Sequence, residues 1–184
     1  MKAFRKRDAL WILAYPVYQT LGTIRHEGSH ALAAWLQGGD VLGISVLPSP
    51  KGWGVTAYSS DFVPAWWGAI APYVAAGFFF VVFSALLMLV PIKRNWLWIN
   101  LVILGPVSSL VDTLNNYLAA IIGGVGDFAC AEEIVNPYLL YALTSVLFCL
   151  GLYVLFLIVQ AHVRYRRGLD PDAMPRVGWR RRIF

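Results

Sequence analysis

Four long runs of apolar residues dominate the chain and alternate with short polar or charged segments. Each run is near or above the roughly 20 residues that an α-helix needs to cross a bilayer. One β-prone stretch lies between the first two runs. The pattern predicts an all-α membrane protein with four transmembrane helices and one small β-hairpin, the helices covering about residues 9–37, 63–91, 95–122 and 137–162.

The predicted hairpin lies between the first and second helices, over about residues 41–59. Its two halves, VLGISVL and WGVTAYS, are rich in β-branched and aromatic residues, and the segment between them, PSPKG, is typical of a broad turn. A hairpin at this point would place a sheet edge beside the membrane.

Composition and charge agree with this topology. The chain is 59% hydrophobic and only 14% charged. Basic residues gather before the first helix, between the second and third, and after the fourth. In the segments after the first and third helices, the charged residues are mostly acidic. The positive-inside rule then predicts a multi-pass integral membrane protein with both termini in the cytoplasm. We expect one transmembrane domain over residues 1–163 and a basic cytoplasmic tail over 164–184.

The net charge of +5 therefore reports membrane orientation and attraction to anionic headgroups. No basic-aromatic pattern typical of nucleic-acid binding stands out. The predicted surroundings of the chain are the lipid bilayer, and nucleic acid is not expected as a partner.

The first helix carries the sequence HEGSH at residues 26–30. His26 and His30 are spaced i, i+4, so their imidazoles project from one face and can bind one zinc ion. Glu27 between them can take a proton from an attacking water and return it to the leaving amine. Chance spacing is the alternative, but ionisable groups inside a membrane span are costly and by default functional. The pattern favours a metal site with Glu27 as general base.

A catalytic zinc site needs a third protein ligand, and Asp112 is the candidate because it is the only acidic residue inside the other three predicted spans. His26 lies 17 residues beyond Ala9, and Asp112 lies 17 residues beyond Asn95. Both distances are about 26 Å at the α-helical rise. His26 and Asp112 are therefore expected at the same depth, toward the outer leaflet. The alternative is a structural ion pair between Asp112 and Arg25.

Polar side chains repeat at helical spacing around these residues. The first helix carries Gln19, Thr23, Glu27 and His30, and the third carries Ser108, Asp112, Asn115 and Asn116. Asn115, Asn116 or Arg25 could donate to a developing oxyanion or to substrate backbone. Polar contacts that hold neighbouring helices together are the other interpretation of both stripes.

The motif and its setting resemble the site-2 protease family of intramembrane zinc metalloproteases. The resemblance covers about residues 18–120 and rests on HEGSHALAAWLQGG and on the third-helix series Asn100-Leu101, Pro106 and Leu110-Val111-Asp112. It implies zinc ligation by His26, His30 and Asp112, with Glu27 as base. The implied reaction is cleavage of a transmembrane segment of a membrane protein substrate after local unwinding. The hairpin could hold the unwound segment by strand addition.

Two other functions fit intramembrane His, Glu and Asp residues. A transporter or channel could use them to conduct protons or metal ions, although the chain shows no inverted repeat. A metal-binding scaffold that regulates a partner protein is the second. A di-iron oxidase is not favoured, because the chain contains only three histidines.

Overall fold

The structure is a computed structural model that describes residues 15–49, 52–63, 65–92, 94–124, 126–132 and 135–167. The predicted start of the first helix at residue 9 and most of the predicted tail lie outside the described residues. The elements are α1 (Tyr15–Leu36), β1 (Val41–Ser49), β2 (Gly52–Tyr58), α2 (Trp66–Leu89), α3 (Asn95–Gly123), α4 (Asp127–Glu132) and α5 (Pro137–Arg167).

Three helices among the described residues are long and apolar enough to cross a membrane: Trp67–Leu89 in α2, Asn95–Gly123, which is α3, and Pro137–Arg166 in α5. Many of their large apolar side chains are exposed on the protein surface, among them Val81, Leu118 and Leu147. A surface of this kind is stable in contact with lipid. The chain is therefore an integral membrane protein. A fourth span through α1, which carries the charged and histidine side chains of the motif, stays a prediction.

One helix boundary differs from the predicted one, and one short helix is additional. Helix α5 continues to Arg167 instead of ending near residue 162, because three arginines in residues 163–167 are good helix formers even though the apolar run has ended. The glycine-rich turn after α3 exists, with positive φ at Gly124 and Gly126. It leads into the short helix α4, which was not predicted, and the acidic Asp127 in the first turn of that helix favours it through the helix dipole.

The described contacts divide the chain into two compact units, Met1–Ala75 and Ala76–Phe184. In the first unit, the hairpin is antiparallel as predicted and its pairs include Ile44 with Thr56. The end of α1 is tied to the start of α2, because the Gln37 Oε1 atom accepts a hydrogen bond from the Ala65 amide at 2.7 Å. The Ser59 amide donates to the carbonyl of Asp40 at 3.1 Å, which closes the base of the hairpin.

The second unit has a small buried core at one end of its helices. Its members come from α2, the following loop, α3 and α5, and they are Leu87, Ile92, Trp98, Val102 and Ile158. Farther along α3, a Cβ on Gly105 would lie only 2.2 Å from the Cβ of Phe83. Helices α2 and α3 therefore approach each other through a residue without a side chain, as is common between membrane helices.

Helix α3 is not uniform, because residues Ile103–Val107 form one π-helical turn around Pro106. Proline has no backbone N–H and its ring clashes with the carbonyl of the preceding turn, so the helix widens there. The predicted helix over 95–122 is confirmed, but the rise that was assumed to be regular from Asn95 to Asp112 is interrupted.

Candidate active site

Helix α1 presents the two motif histidines from consecutive turns. The ring centroids of His26 and His30 are 5.0 Å apart, and the rings meet edge to face at 72°. The ring of Tyr73 lies 6.1 Å from that of His26. Both histidines are partly buried. The i, i+4 spacing thus brings the two imidazoles together as predicted, in an arrangement that suits two ligands of one metal ion.

His30 is held by a backbone group of α2. Its Nδ1 atom lies 2.9 Å from the carbonyl oxygen of Gly68. A carbonyl can only accept, so Nδ1 is the nitrogen that carries the proton and Nε2 is the one that carries a lone pair. Metal-binding histidines are commonly oriented by such a bond from the second ring nitrogen. The chemistry of the donors therefore fits a metal such as zinc.

Glu27 is buried, with only 6% of its surface exposed. The Thr56 hydroxyl of β2 lies 2.7 Å from Glu27 Oε2 and donates to it. The Thr56 hydroxyl oxygen also lies 3.0 Å from the backbone carbonyl oxygen of Glu27. A buried carboxylate is costly unless hydrogen-bonded. Thr56 supplies that bond from a different element of the same unit.

Strand β2 passes very close to Glu27 at Gly54. The backbone of Gly54 has φ +82°, and a Cβ at this position would lie 2.5 Å from Glu27 Oε1. Both features require glycine, because other residues rarely adopt this conformation and any side chain would collide with the carboxylate. The hairpin therefore approaches both oxygens of Glu27.

The remaining predicted site residues lie on their own helices. Arg25 precedes His26 on α1, and its carbonyl accepts a hydrogen bond from the Ser29 hydroxyl at 2.6 Å. In the second unit, the side-chain Nδ2 atom of Asn116 donates to the backbone carbonyl oxygen of Asp112 at 3.1 Å. The same nitrogen lies 3.3 Å from the Asp112 Oδ1 atom. Asn115 is exposed. Asp112 and Asn116 are thus brought together on α3, and the oxyanion roles of Arg25, Asn115 and Asn116 stay predictions.

Three positions around the motif were not singled out from the sequence: Gly54, Thr56 and Gly68. Only the hairpin gave a usable signal, because Gly54, Thr56 and Tyr58 alternate with the exposed Val55 and Ala57. That period of two marks one face of β2 as the covered face. A threonine on the covered face of a strand that follows the motif helix is a reasonable candidate for contact with the motif.

His26 and His30 are among the described side chains that could hold a metal ion. Comparison with family models gave a match to Peptidase M50B-like over residues 7–177. Comparisons with curated proteins and with solved structures gave no match. The match covers nearly the whole chain, agrees with the resemblance argued from the motif and includes every candidate site residue. The chain belongs to the peptidase M50B-like family of metallopeptidases.

Proposed function

We propose that this protein is a zinc-dependent intramembrane endopeptidase that cleaves transmembrane segments of membrane protein substrates. The observation that carries the proposal is the buried Glu27 carboxylate, held by Thr56 and flanked on the same helix by His26 and His30. A carboxylate that only neutralised charge would not need a position between two paired imidazoles. Family membership and the three apolar helices support proteolysis in a membrane.

His26, His30 and one carboxylate would hold the zinc ion. Asp112 is the candidate argued from the sequence. Asp127 is the second candidate, because its side chain offers the same carboxylate oxygens as Asp112. Asp127 begins α4, which follows α3 after the glycine-rich turn. Either aspartate would complete three protein ligands and leave one position for water.

The chain's own residues would perform proton transfer and positioning. A zinc ion in this site would polarise the scissile carbonyl and an attacking water. Glu27 would accept a proton from that water on its carboxylate and later return it to the leaving amine nitrogen. Arg25, Asn115 and Asn116 remain the candidates for stabilising the developing oxyanion.

The hairpin offers a means to present an unwound substrate. Among the described residues, β1 and β2 form a two-stranded sheet, so β1 pairs on one edge only. An extended substrate segment could add to the other edge by backbone hydrogen bonds. The exposed Leu42, Ile44 and Leu47 on β1 would then provide apolar contacts to a segment drawn from a membrane helix.

The Glu27→Gln variant tests the proposed activity. We expect Glu27→Gln to retain zinc, because the ligands are unchanged, and to lose cleavage of a transmembrane reporter substrate by at least about 100-fold, because the general base is lost. Cleavage would be followed in proteoliposomes and zinc by elemental analysis of the purified protein. A variant that still cleaves would refute the proposal, and a wild-type protein that moves ions but does not cleave would favour the transporter.

A pair of matched substitutions separates the two carboxylate candidates. Asp112→Asn and Asp127→Asn each remove one negative oxygen and preserve size. We expect the substitution of the true third ligand to abolish stoichiometric zinc, whereas the other variant keeps zinc near the wild-type level. Retention of zinc by both single variants would contradict a carboxylate ligand from either position.

A further inference from the structure

We propose that Thr56 is a positioning residue for the catalytic base: its hydroxyl holds the Glu27 carboxylate in the orientation that proton transfer requires. This inference rests on the proposed function of Glu27. It extends the site from the motif helix to the hairpin, and it gives strand β2 a role in catalysis besides any role in holding substrate.

The first argument is the geometry at Glu27. The Thr56 hydroxyl donates to Oε2 at 2.7 Å, which is a normal distance for a charge-assisted O–H···O bond to a carboxylate. The same hydroxyl oxygen lies 3.0 Å from the carbonyl of Glu27, so it is fixed against both the main chain and the side chain of one residue. The bond therefore relates the carboxylate to its own helix backbone and limits rotation of the side chain.

The second argument is the stiffness of the donor. Threonine is β-branched and has few allowed χ1 rotamers, so its hydroxyl is well placed once the strand is placed. Thr56 pairs with Ile44 in the antiparallel ladder, and the base of the hairpin is closed by the Ser59–Asp40 hydrogen bond. The donor is thus set by the whole hairpin and not by a flexible side chain.

The third argument is that β2 is shaped to bring this donor close. Gly54, two residues earlier on the same face, lets the strand backbone approach Glu27 Oε1 more closely than any side chain would allow. One oxygen of Glu27 therefore lies close to the backbone of Gly54, and the other accepts a hydrogen bond from the Thr56 hydroxyl. Because each carboxylate oxygen has its own contact, the orientation of the general base is defined.

Thr56→Val and Thr56→Ser test the role with a matched pair. Valine keeps the branched shape and removes the hydroxyl, whereas serine keeps the hydroxyl. Thr144→Val on α5 is the control, because the Thr144 hydroxyl donates only to the Leu140 carbonyl of its own helix in the described contacts. The reporter substrate, proteoliposomes and zinc analysis used for Glu27→Gln would provide kcat, KM and metal content.

We expect Thr56→Val to lower kcat by about 10- to 100-fold, to leave KM within about twofold and to keep full zinc, since a misaligned base slows chemistry and not binding. Thr56→Ser should restore kcat to within about threefold of the wild type. In melting experiments, Thr56→Val should lower the Tm when Glu27 is present and have a smaller effect in the Glu27→Ala background.

Two outcomes would overturn the inference while leaving the proposed function intact. In both, the wild type cleaves and Glu27→Gln does not. In the first, Thr56→Val has wild-type kcat. In the second, Thr56→Ser is as defective as Thr56→Val, which would indicate a packing role for the side chain. A wild-type protein without any cleavage activity would overturn the proposed function, and this inference with it.

Discussion

At the scale of single residues, the centre of the candidate site is a buried acid that depends on its neighbours. Glu27 is 6% exposed, and an ionised carboxylate at such a position is tolerated only with hydrogen-bond partners. His30 depends similarly on the Gly68 carbonyl, which fixes the protonated ring nitrogen. The motif supplies reactive groups, and residues from β2 and α2 determine their orientation.

Gly54→Ala should disrupt the close approach of β2 to Glu27. The added Cβ would lie 2.5 Å from Glu27 Oε1 in a backbone with φ +82°. We expect a loss of about 1–3 kcal/mol in stability from strain and collision, together with reduced cleavage. Melting temperature and reporter cleavage would be measured on the same preparation.

Gly43→Ala is the matched control for that experiment. Gly43 lies on the neighbouring strand β1, and a Cβ there would meet no atom within 4 Å. We expect its melting temperature and activity to stay close to the wild type. Equal effects of the two substitutions would contradict the close approach of β2 to Glu27.

The residues that could be predicted from the sequence are those whose chemistry follows from local spacing. His26, Glu27 and His30 lie on one helix, so the i, i+4 rule alone brings the imidazoles together. Thr56 lies 29 positions from Glu27 along the chain, and its contact depends on how the hairpin packs against α1. No local periodicity encodes that packing, and the alternation in β2 indicates only which face is covered.

At the scale of elements, the apolar runs predicted the positions of the helices but not the irregularities within and between them. Helices α2 and α3 and the hairpin were predicted within a few residues, because apolar length and β-branched composition are strong signals. The π-helical turn at Ile103–Val107 was missed, because Pro106 signals a distortion but does not specify its kind. Helix α4 was missed because only six residues form it, between the glycine-rich turn and the start of α5.

Gly105→Ala tests the close approach of α2 and α3. The added Cβ would lie 2.2 Å from the Cβ of Phe83, and two helix backbones would have to separate to relieve the contact. We expect a loss of about 1–3 kcal/mol in stability, which is typical of overpacking. Thermal melting in detergent would measure it.

Gly77→Ala in α2 provides the opposite expectation. Its Cβ would meet no atom within 4 Å, and alanine favours a helix interior over glycine by about 1 kcal/mol. A stability equal to or above that of the wild type is therefore expected. If Gly105→Ala were also neutral, the packing of α2 against α3 would have to be looser than the structure indicates.

At the scale of the whole molecule, the number of spans decides whether the two termini face the same side of the membrane or opposite sides. Helices α2, α3 and α5 supply three candidate spans. With α1 as a fourth span, both termini lie on the same side, and the basic residues predict that this side is the cytoplasm. Without it, the termini lie on opposite sides. Protease protection of small tags at each end, in sealed vesicles of known orientation, would distinguish the two topologies.

The two cysteines provide an independent test of the same topology, because both are exposed on the protein surface. Cys130 lies in α4, in the segment that the charge pattern places outside, whereas Cys149 lies near the middle of α5. We expect a membrane-impermeant maleimide to label Cys130 from the outside of intact cells. Cys149 should stay unlabelled there, because the bilayer covers it, and should react after detergent extraction.

Single-cysteine variants, Cys130→Ser and Cys149→Ser, would assign each label. Labelling of Cys130 only after the cytoplasmic face is opened would invert the orientation and place α4 with its Asp127 inside. Because Asp127 is one of the two candidates for the third zinc ligand, the result also decides from which face water and substrate would have to reach that ligand. The topology experiment therefore shows on which side of the membrane Asp127 lies, and the metal analysis of Asp127→Asn shows whether it binds zinc.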